Sequence, residues 1–559
     1  MSNYSKHFQA LVTPQKEKAR ADQVVNSAGG FGFALDKWAR LERWLILGAE
    51  GATYYASEQK LTRENARSLL ECLAENGPRT VARIAEVSVA GRAPRNAPAI
   101  FALAIAAGHE DPATRKAALD ALPIICRFGT DLFHFVRDVE GFRKWGRGLR
   151  RAVAAWYNDK PADRVAYQAI KYQQRDGWSH KDLLRLSHPT APTPEHDALY
   201  RWITGGLEGL ARESARGKAI APAGLPKMIR GFESLRASTN RKQVIALIRE
   251  HRFTHEMLLS EWKNDPEIWE ALLEEMPQTA LIRSLGKMTA VGLLMPMSDV
   301  SRKVARQLTD AGRLTHARVH PISLLSALRV YEQGHGERAQ KRANALSWTP
   351  VREIVDALND AFYLAFKGVA PTGKKHLLAL DVSGSMNTGA IAGIPGLTPR
   401  VASAAMAMAT ARIEPDFAVV AFTAAANGYG GQWGGGDVGL MPLPISPKQR
   451  LDDVLKLVEG LPFGGTDCSM PMIWATKNKI VVDTFVIYTD NETWAGKVHP
   501  FQALREYRQK MGRPAKLIVV GMTATGFSIA DPTDPGMLDV VGFDAAAPQV
   551  MADFTRGQR

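Results

Sequence analysis

The chain holds 559 residues, more than one ordinary hydrophobic core organises, so two to four domains are expected. Its 45% hydrophobic and 23% charged residues exclude a fibre and a mostly disordered polymer. The formal net charge of +14 is unevenly spread: residues 371–559 hold 17 Lys+Arg and 17 Asp+Glu, while residues 1–370 hold 54 and 40. Such asymmetry raises the case for a nucleic-acid or anionic-surface partner of the first two thirds, but many soluble proteins are moderately basic, and charge alone does not choose between those two readings. No stretch approaches ~18 uninterrupted apolar residues, so neither a membrane-spanning helix nor a membrane partner is expected. The polar start MSNYSKHFQALVTPQKEKAR lacks the apolar core of a secretory signal. Cys72, Cys126 and Cys468 are sparse and have no metal-ligand spacing, which fits a reducing compartment and a cytoplasmic location.

In chain order, residues 1–370 read as helix throughout. Apolar residues recur at helical spacing over 35–47, 113–122, 149–157, 164–174, 242–249, 267–275 and 322–331. A further helix over 62–73 ends before Gly77-Pro78. No useful strand alternation appears. Many amphipathic helices joined by short turns predict an α-solenoid, but no clean repeat period separates that from an irregular bundle.

Basic clusters punctuate this region. In RDVEGFRKWGRGLRR, Arg143, Lys144, Arg147, Arg150 and Arg151 surround Trp145. Cations interleaved with an aromatic suit phosphate contact and base stacking, and equally suit a core tryptophan with a wet rim. The 164–174 periodicity puts Lys171 and Arg175 one turn apart on one helix face, spaced for successive phosphates, although read by themselves they fit a solvated basic face better. His188 ends the next helix and can donate to phosphate or stack on a base. Arg241-Lys242, His251-Arg252 and His255 form a weaker patch, and Arg283 and Lys287 a one-turn pair.

Past Pro371 short aliphatic runs at 376–380, 417–422, 484–488 and 516–520 alternate with helical stretches at 400–412, 447–459 and 500–511. This alternation predicts a doubly wound parallel sheet with ligands at the carboxyl ends of its strands. The Gly-rich 424–440 stretch reads as a surface loop.

The first strand runs into Asp381-Val-Ser383-Gly-Ser385, whose alternate residues can aim three oxygens at one point. Gly464-Gly465-Thr466 adds a hydroxyl, and Asp490 after the 484–488 strand adds a second acid. Hard oxygen donors suit Mg²⁺ or another divalent cation. A capping turn would explain the first motif alone, since Asp and Ser favour helix starts, but it does not require the two distant loops. An aspartyl phosphatase would need an acid where Ser383 stands. The set resembles the von Willebrand A domain and its metal-ion-dependent adhesion site. In that family the hydroxyls bind the ion, the aspartates act largely through water, and a partner can supply an acidic ligand.

The helical region carries KYQQRDGWSHKDLLRLSH (171–188), MPQTALIRSLGKMT (276–289), ARVHP (317–321) and EGATYYASEQKLT (50–62). The C-terminal part carries GGTDCSMPMIWA, TDNETWAG and GMTATGFSIADP. Together these resemble the Ro autoantigen family over nearly the whole chain. The resemblance implies a TROVE module over 1–370, an all-α HEAT-like solenoid closed into a monomeric ring. A von Willebrand A-like domain would occupy 371–559. It further implies Y-like small noncoding RNA on the outer surface, at Lys171, Arg175 and His188. Single-stranded ends of misfolded RNA would enter the hole, and an exoribonuclease such as polynucleotide phosphorylase would be a partner.

The leading expectation is a non-catalytic RNA-binding scaffold for noncoding-RNA quality control. The alternative is a metal-dependent adhesion or assembly factor without RNA specificity. An RNA-cleaving enzyme fits worse: there is no P-loop, and His180-Lys181-Asp182 lacks the spacing of phospholipase-D-type phosphodiesterases.

Overall fold

The computed structural model describes residues 12–48, 53–54, 57–211, 219–336, 346–366, 368–394, 396–424, 439–461 and 464–558. The Gly-rich stretch therefore lies almost wholly outside the described residues. So does part of the EGATYYASEQKLT motif.

Helices fill the chain from Lys37–Leu47 to Arg352–Leu364, each packing mainly on its near neighbours in sequence. Local chemistry accounts for their ends. Asp36, Asp111, Asp265 and Asp310 accept from first-turn N–H groups, and left-handed Gly91 and Gly334 close helices behind them. Ala97–Gly108, reading APAIFALAIAAG without a charge, is buried on nearly every side. Helix Glu58–Ala90 starts before the expected 62. It breaks where the sequence says it should, with Asn76 at φ −159° and ψ 90° directly before Gly77-Pro78. The Asn76 side chain then accepts from Arg79 N at 3.0 Å and restarts the helix.

The two ends of this helical run meet. His320 Nδ1 accepts from Ile322 N at 3.2 Å, which leaves Nε2 to donate to the Arg92 carbonyl 3.1 Å away. Burial holds His320 down to a pKa of about 4, so the ring is neutral there. The Arg92 guanidinium binds Glu42 and, from the C-terminal part of the chain, Asp544. Residues 228 apart in sequence thus close the solenoid on itself. Arg92→Ala leaves both carboxylates without their shared cation and should cost about 3 kcal/mol, toward the lower end for a broken buried pair. Urea unfolding of the full chain checks this.

The C-terminal part is a six-stranded sheet in the order β11-β9-β8-β5-β6-β7. The strands are β5 (His376–Asp381), β6 (Phe417–Phe422), β7 (Leu440–Leu443), β8 (Thr484–Thr489), β9 (Lys516–Gly521) and β11 (Met537–Val541). All pairings are parallel except β6–β7, which puts one antiparallel strand at an edge. Every residue of β5 and β8 is buried, as a sheet covered on both faces requires. The parallel sheet was expected; β7, β11 and the helices Met470–Lys477 and Ala547–Arg556 were not.

The first residues depart from the all-helical expectation. β1 (Gln23–Val25) and β2 (Phe31–Ala34) form a hairpin, and β2 pairs with β10 (Phe527–Ser528) of the C-terminal domain. Phe33 sits in that domain's core, its ring 5.6 Å from Phe501. A strand of four residues whose partners lie 493 and 495 positions away, Ala34 against Phe527 and Phe33 against Ser528, leaves no periodic trace of helix or strand.

Candidate nucleic-acid interface and metal centre

The 171–188 segment is not one helix followed by another. Helix Ala162–Lys171 stops at Tyr172, which has φ −118° and ψ 67°. A hairpin follows, with β3 (Gln174–Arg175) pairing β4 (Trp178–Ser179). Its turn is Asp176-Gly177, both at positive φ (52° and 80°), the conformation an Asp-Gly pair adopts most readily. The Asp176 carboxylate binds His134 and Arg137, pinning the tip to helix Gly129–Glu140. Lys171 and Arg175 therefore do not share a helix face, and that expectation is corrected. The Asp-Gly turn outweighed the helical periodicity.

Their environments differ as well. The Lys171 side chain is 10% exposed, with Nζ 5.3 and 5.4 Å from the Tyr167 and Tyr172 rings and 3.9 Å from Glu256 Oε1. It also donates to the Tyr167 hydroxyl at 3.1 Å. Arg175 is exposed and, among the described residues, makes no ion pair. Lys171→Ala should thus cost stability, about 1–2 kcal/mol for a desolvated cation between rings. Thermal unfolding checks that directly.

β4 runs into helix His180–Ser187, whose Ser179 and Asp182 form a capping box. Lys181 and Arg185 are exposed and one turn apart on this helix, the geometry first expected of Lys171 and Arg175. His188, left-handed at φ 47°, caps the helix and is exposed. Lys181 and Arg185 are not among the RNA contacts expected from the sequence, although H-K-D-L-L-R-L-S-H carries their spacing plainly.

The basic stretch 143–151 joins this surface through tryptophans. The Trp145 ring lies 6.2 Å from that of Trp178 on β4, and its Nε1 donates to Glu140 at 3.1 Å. Trp145 is half-buried, between the two roles first weighed for it. Arg143 donates to the Ala107 carbonyl at 2.7 Å and acts as a tie between helices. Lys144, Arg147, Arg150 and Arg151 are exposed. Among the described residues, none of these four, nor Arg175, Lys181 or Arg185, pairs with a carboxylate.

The other patches are largely committed to structure. Arg241 pairs with Asp265 and Glu267, His251 stacks on Phe253 and His255 on Trp269. Lys287 donates to Asn264 Oδ1 at 2.6 Å, while Arg283 is exposed.

At the carboxyl end of the sheet, three loops meet. Asp381, Ser383, Ser385, Thr466 and Asp490 are all buried. The Ser383 and Ser385 hydroxyls are 3.2 Å apart, and Gly384 N donates to the Gly464 carbonyl at 3.2 Å, joining the first loop to the second. Asp381 Oδ1 accepts from Ser383 N at 2.9 Å and Oδ2 from the Thr489 hydroxyl at 2.6 Å. The Thr466 hydroxyl is buried and has no hydrogen-bond partner. The Asp490 carboxyl is pushed up to about 7 by burial and then by the charge of Asp381, while Ser385 bonds it and pulls it down. Two crowded acids, two hydroxyls at contact distance and one orphaned hydroxyl fit a hard divalent cation. No group of three or more His, Cys, Asp or Glu is arranged to hold a metal among the described residues. This donor set relies on hydroxyls instead.

Two buried groups outside the expected set frame the centre. Arg400 donates to the Leu461 carbonyl at 3.1 Å and to that of Val382, placing a cation beneath Asp381. Glu492 is raised to about 8 by burial and by Asp490, and accepts from Ala28 N at 2.9 Å.

The TROVE domain family matches residues 24–329, and the Ro60 vWA domain family matches residues 375–555. The RNA-binding protein RO60 of Deinococcus radiodurans is 41% identical, with all of both chains covered. That of Caenorhabditis elegans is 34% identical over 98% of this chain and 92% of its own. The crystal structure of the Deinococcus radiodurans RO (RSR) protein aligns with a TM-score of 0.65 at 41% identity, covering 94% of this chain and 100% of that one.

Proposed function

The chain belongs to the Ro60 family, and from that premise we propose that it is a non-catalytic RNA-binding scaffold. The observation that carries the reading is the surface of unpaired cations, Lys144, Arg147, Arg150, Arg151, Arg175, Lys181 and Arg185, joined by the Trp145–Trp178 contact. Unpaired cations neutralise phosphates without first breaking an internal ion pair, and half-buried indoles beside them offer faces to unstacked bases. Both relatives above are named RNA-binding proteins, which supports the same reading.

The finer proposal is that a structured Y-like small RNA docks on this outer surface. Single-stranded ends of misfolded RNA enter the ring, for handling with an exoribonuclease such as polynucleotide phosphorylase in the cytoplasm. The metal centre is proposed to hold Mg²⁺ through Ser383, Ser385 and Thr466, with Asp381 and Asp490 balancing its charge. Its remaining coordination would suit an acidic group from a protein partner. A metal-dependent adhesion role for this domain is the second reading, favoured by the unpartnered Thr466 hydroxyl.

Purified protein should bind a labelled small RNA and leave its length unchanged, with or without Mg²⁺. Shortening that survives nuclease-free repurification and disappears in an Asp381→Ala or His188→Ala variant would reject the scaffold.

A further inference from the structure

The segment 12–34 is threaded into the loops of the metal centre. Gln15 lies 22 residues before the first described helix, Lys37–Leu47, yet its side chain is completely buried. Its Nε2 donates to Asp467 Oδ1 at 2.8 Å and to the Val498 carbonyl at 2.9 Å. Its Oε1 accepts from the Thr493 hydroxyl at 2.5 Å and from Gly496 N at 3.2 Å. One amide thus bridges the loop that carries Thr466 and the loop that follows Asp490. The approach is so close that a Cβ on Gly496 would stand 2.2 Å from Gln15 Nε2.

The same two loops are tied to each other through this point. Trp494 N and Ala495 N donate to the Thr466 carbonyl at 3.1 and 3.0 Å, and Cys468 N donates to the Thr493 hydroxyl at 3.1 Å. Further along the segment, Asn26 Nδ2 donates to the Thr493 carbonyl at 2.7 Å, and Ala28 N donates to Glu492. A Cβ on Gly30 would meet the Thr493 carbonyl oxygen at 2.0 Å, so the backbones are in direct contact there as well.

We infer that the 12–34 segment is a strap that sets the geometry of the metal centre, with Gln15 as its positioning residue, so that cation binding and strap docking are thermodynamically linked. The inference rests on the Mg²⁺ reading above. Gln15 touches no proposed ligand atom; it acts by holding the Thr466 loop against the Asp490 loop. An ion drawing Thr466 and Asp490 together favours the same arrangement that Gln15 bridges. Linkage then requires that whatever the strap adds to cation affinity, the cation adds to strap docking.

The test uses the full chain and Mg²⁺ alone. Calorimetry should show Gln15→Ala binding Mg²⁺ about tenfold more weakly than the unaltered protein, a usual size for coupling between sites. Limited trypsin cleavage after Lys16, Lys18 and Arg20 should slow when Mg²⁺ is added to the unaltered protein, and should not slow in Gln15→Ala. A role confined to general stability would lower the unfolding temperature and leave the Mg²⁺ affinity unchanged, which would overturn the inference. Asn26→Ala, which loosens the strap at Thr493 without touching Asp467, gives the same comparison if Gln15→Ala does not fold. If the unaltered protein binds no Mg²⁺, the metal reading fails and takes this inference with it. If it binds and both strap variants bind equally well, only the inference fails.

Discussion

Replacing Arg175, Lys181 and Arg185 together by alanine should weaken binding of a structured small RNA by about two to four orders of magnitude. A charge-assisted contact to phosphate contributes ~1.5–3 kcal/mol, and ~1.4 kcal/mol is a factor of ten. Simple addition over three contacts would give about three to six orders, but neighbouring contacts on one surface do not add fully. The salt dependence should become shallower by about two to three units, close to one per lost phosphate contact. All three side chains are exposed and, among the described residues, free of carboxylate partners, so their loss removes no ion pair found there. A short single strand, proposed to enter the ring and so to use other residues, should lose much less. Paired titrations of both RNAs at several salt concentrations, with circular dichroism as the folding control, decide it. Equal losses would mean one shared site, and no loss would make the cations a solvated face. Lys171→Ala provides the contrast: its aromatic cage predicts a fall in stability with little change in the salt slope.

Asp381→Ala should abolish Mg²⁺ binding while leaving RNA affinity nearly unchanged. Asp381 is completely buried and holds the Ser383 N–H and the Thr489 hydroxyl, so its loss removes both a charge and the scaffold of the first loop. If that variant fails to fold, Ser383→Ala removes one hydroxyl with less disturbance and should still weaken the ion severely. The pH dependence has a definite sign. Burial and a neighbouring acid push the Asp490 carboxyl up to about 7 and that of Glu492 up to about 8. A raised carboxyl destabilises the fold as pH climbs from its unfolded value, roughly 4, through the folded one. The ion-free protein should therefore lose stability between about pH 4 and 8, and Mg²⁺ should restore it by favouring the charged form. For the same reason Mg²⁺ affinity should fall as pH drops below 7. Calorimetry at pH 6 and pH 8, in buffers of different ionisation enthalpy, counts the proton released. An affinity independent of pH would remove Asp490 from the site.

The sequence alone determined that a helical region is followed by an α/β domain built on a mostly parallel sheet. Runs such as HLLAL, FAVVAF, TFVIY and KLIVV are too short and too apolar for amphipathic helix, and all four became central strands within a residue of expectation. The residues of the proposed metal centre could be singled out because each lies in the loop directly after a strand or a glycine pair. The asymmetric charge was legible because it needs only counting.

What only the tertiary structure decided depends on partners far away in the chain. Periodicity reports which face a residue presents, not what meets it. It extended helix Ala162–Lys171 through a segment that an Asp-Gly turn, held by His134 and Arg137, converts to a hairpin. That conversion separates Lys171 from Arg175 and hands the exposed one-turn spacing to Lys181 and Arg185. Gln15 reads as one more polar residue near a polar start; its burial follows from Asp467 and Thr493, more than 450 positions on. The closure of the solenoid likewise rests on His320 reaching Arg92, a contact whose only sequence trace is a buried histidine waiting for a carbonyl. Long-range contacts are chosen by the free energy of the whole folded chain, and a short window of sequence does not contain it.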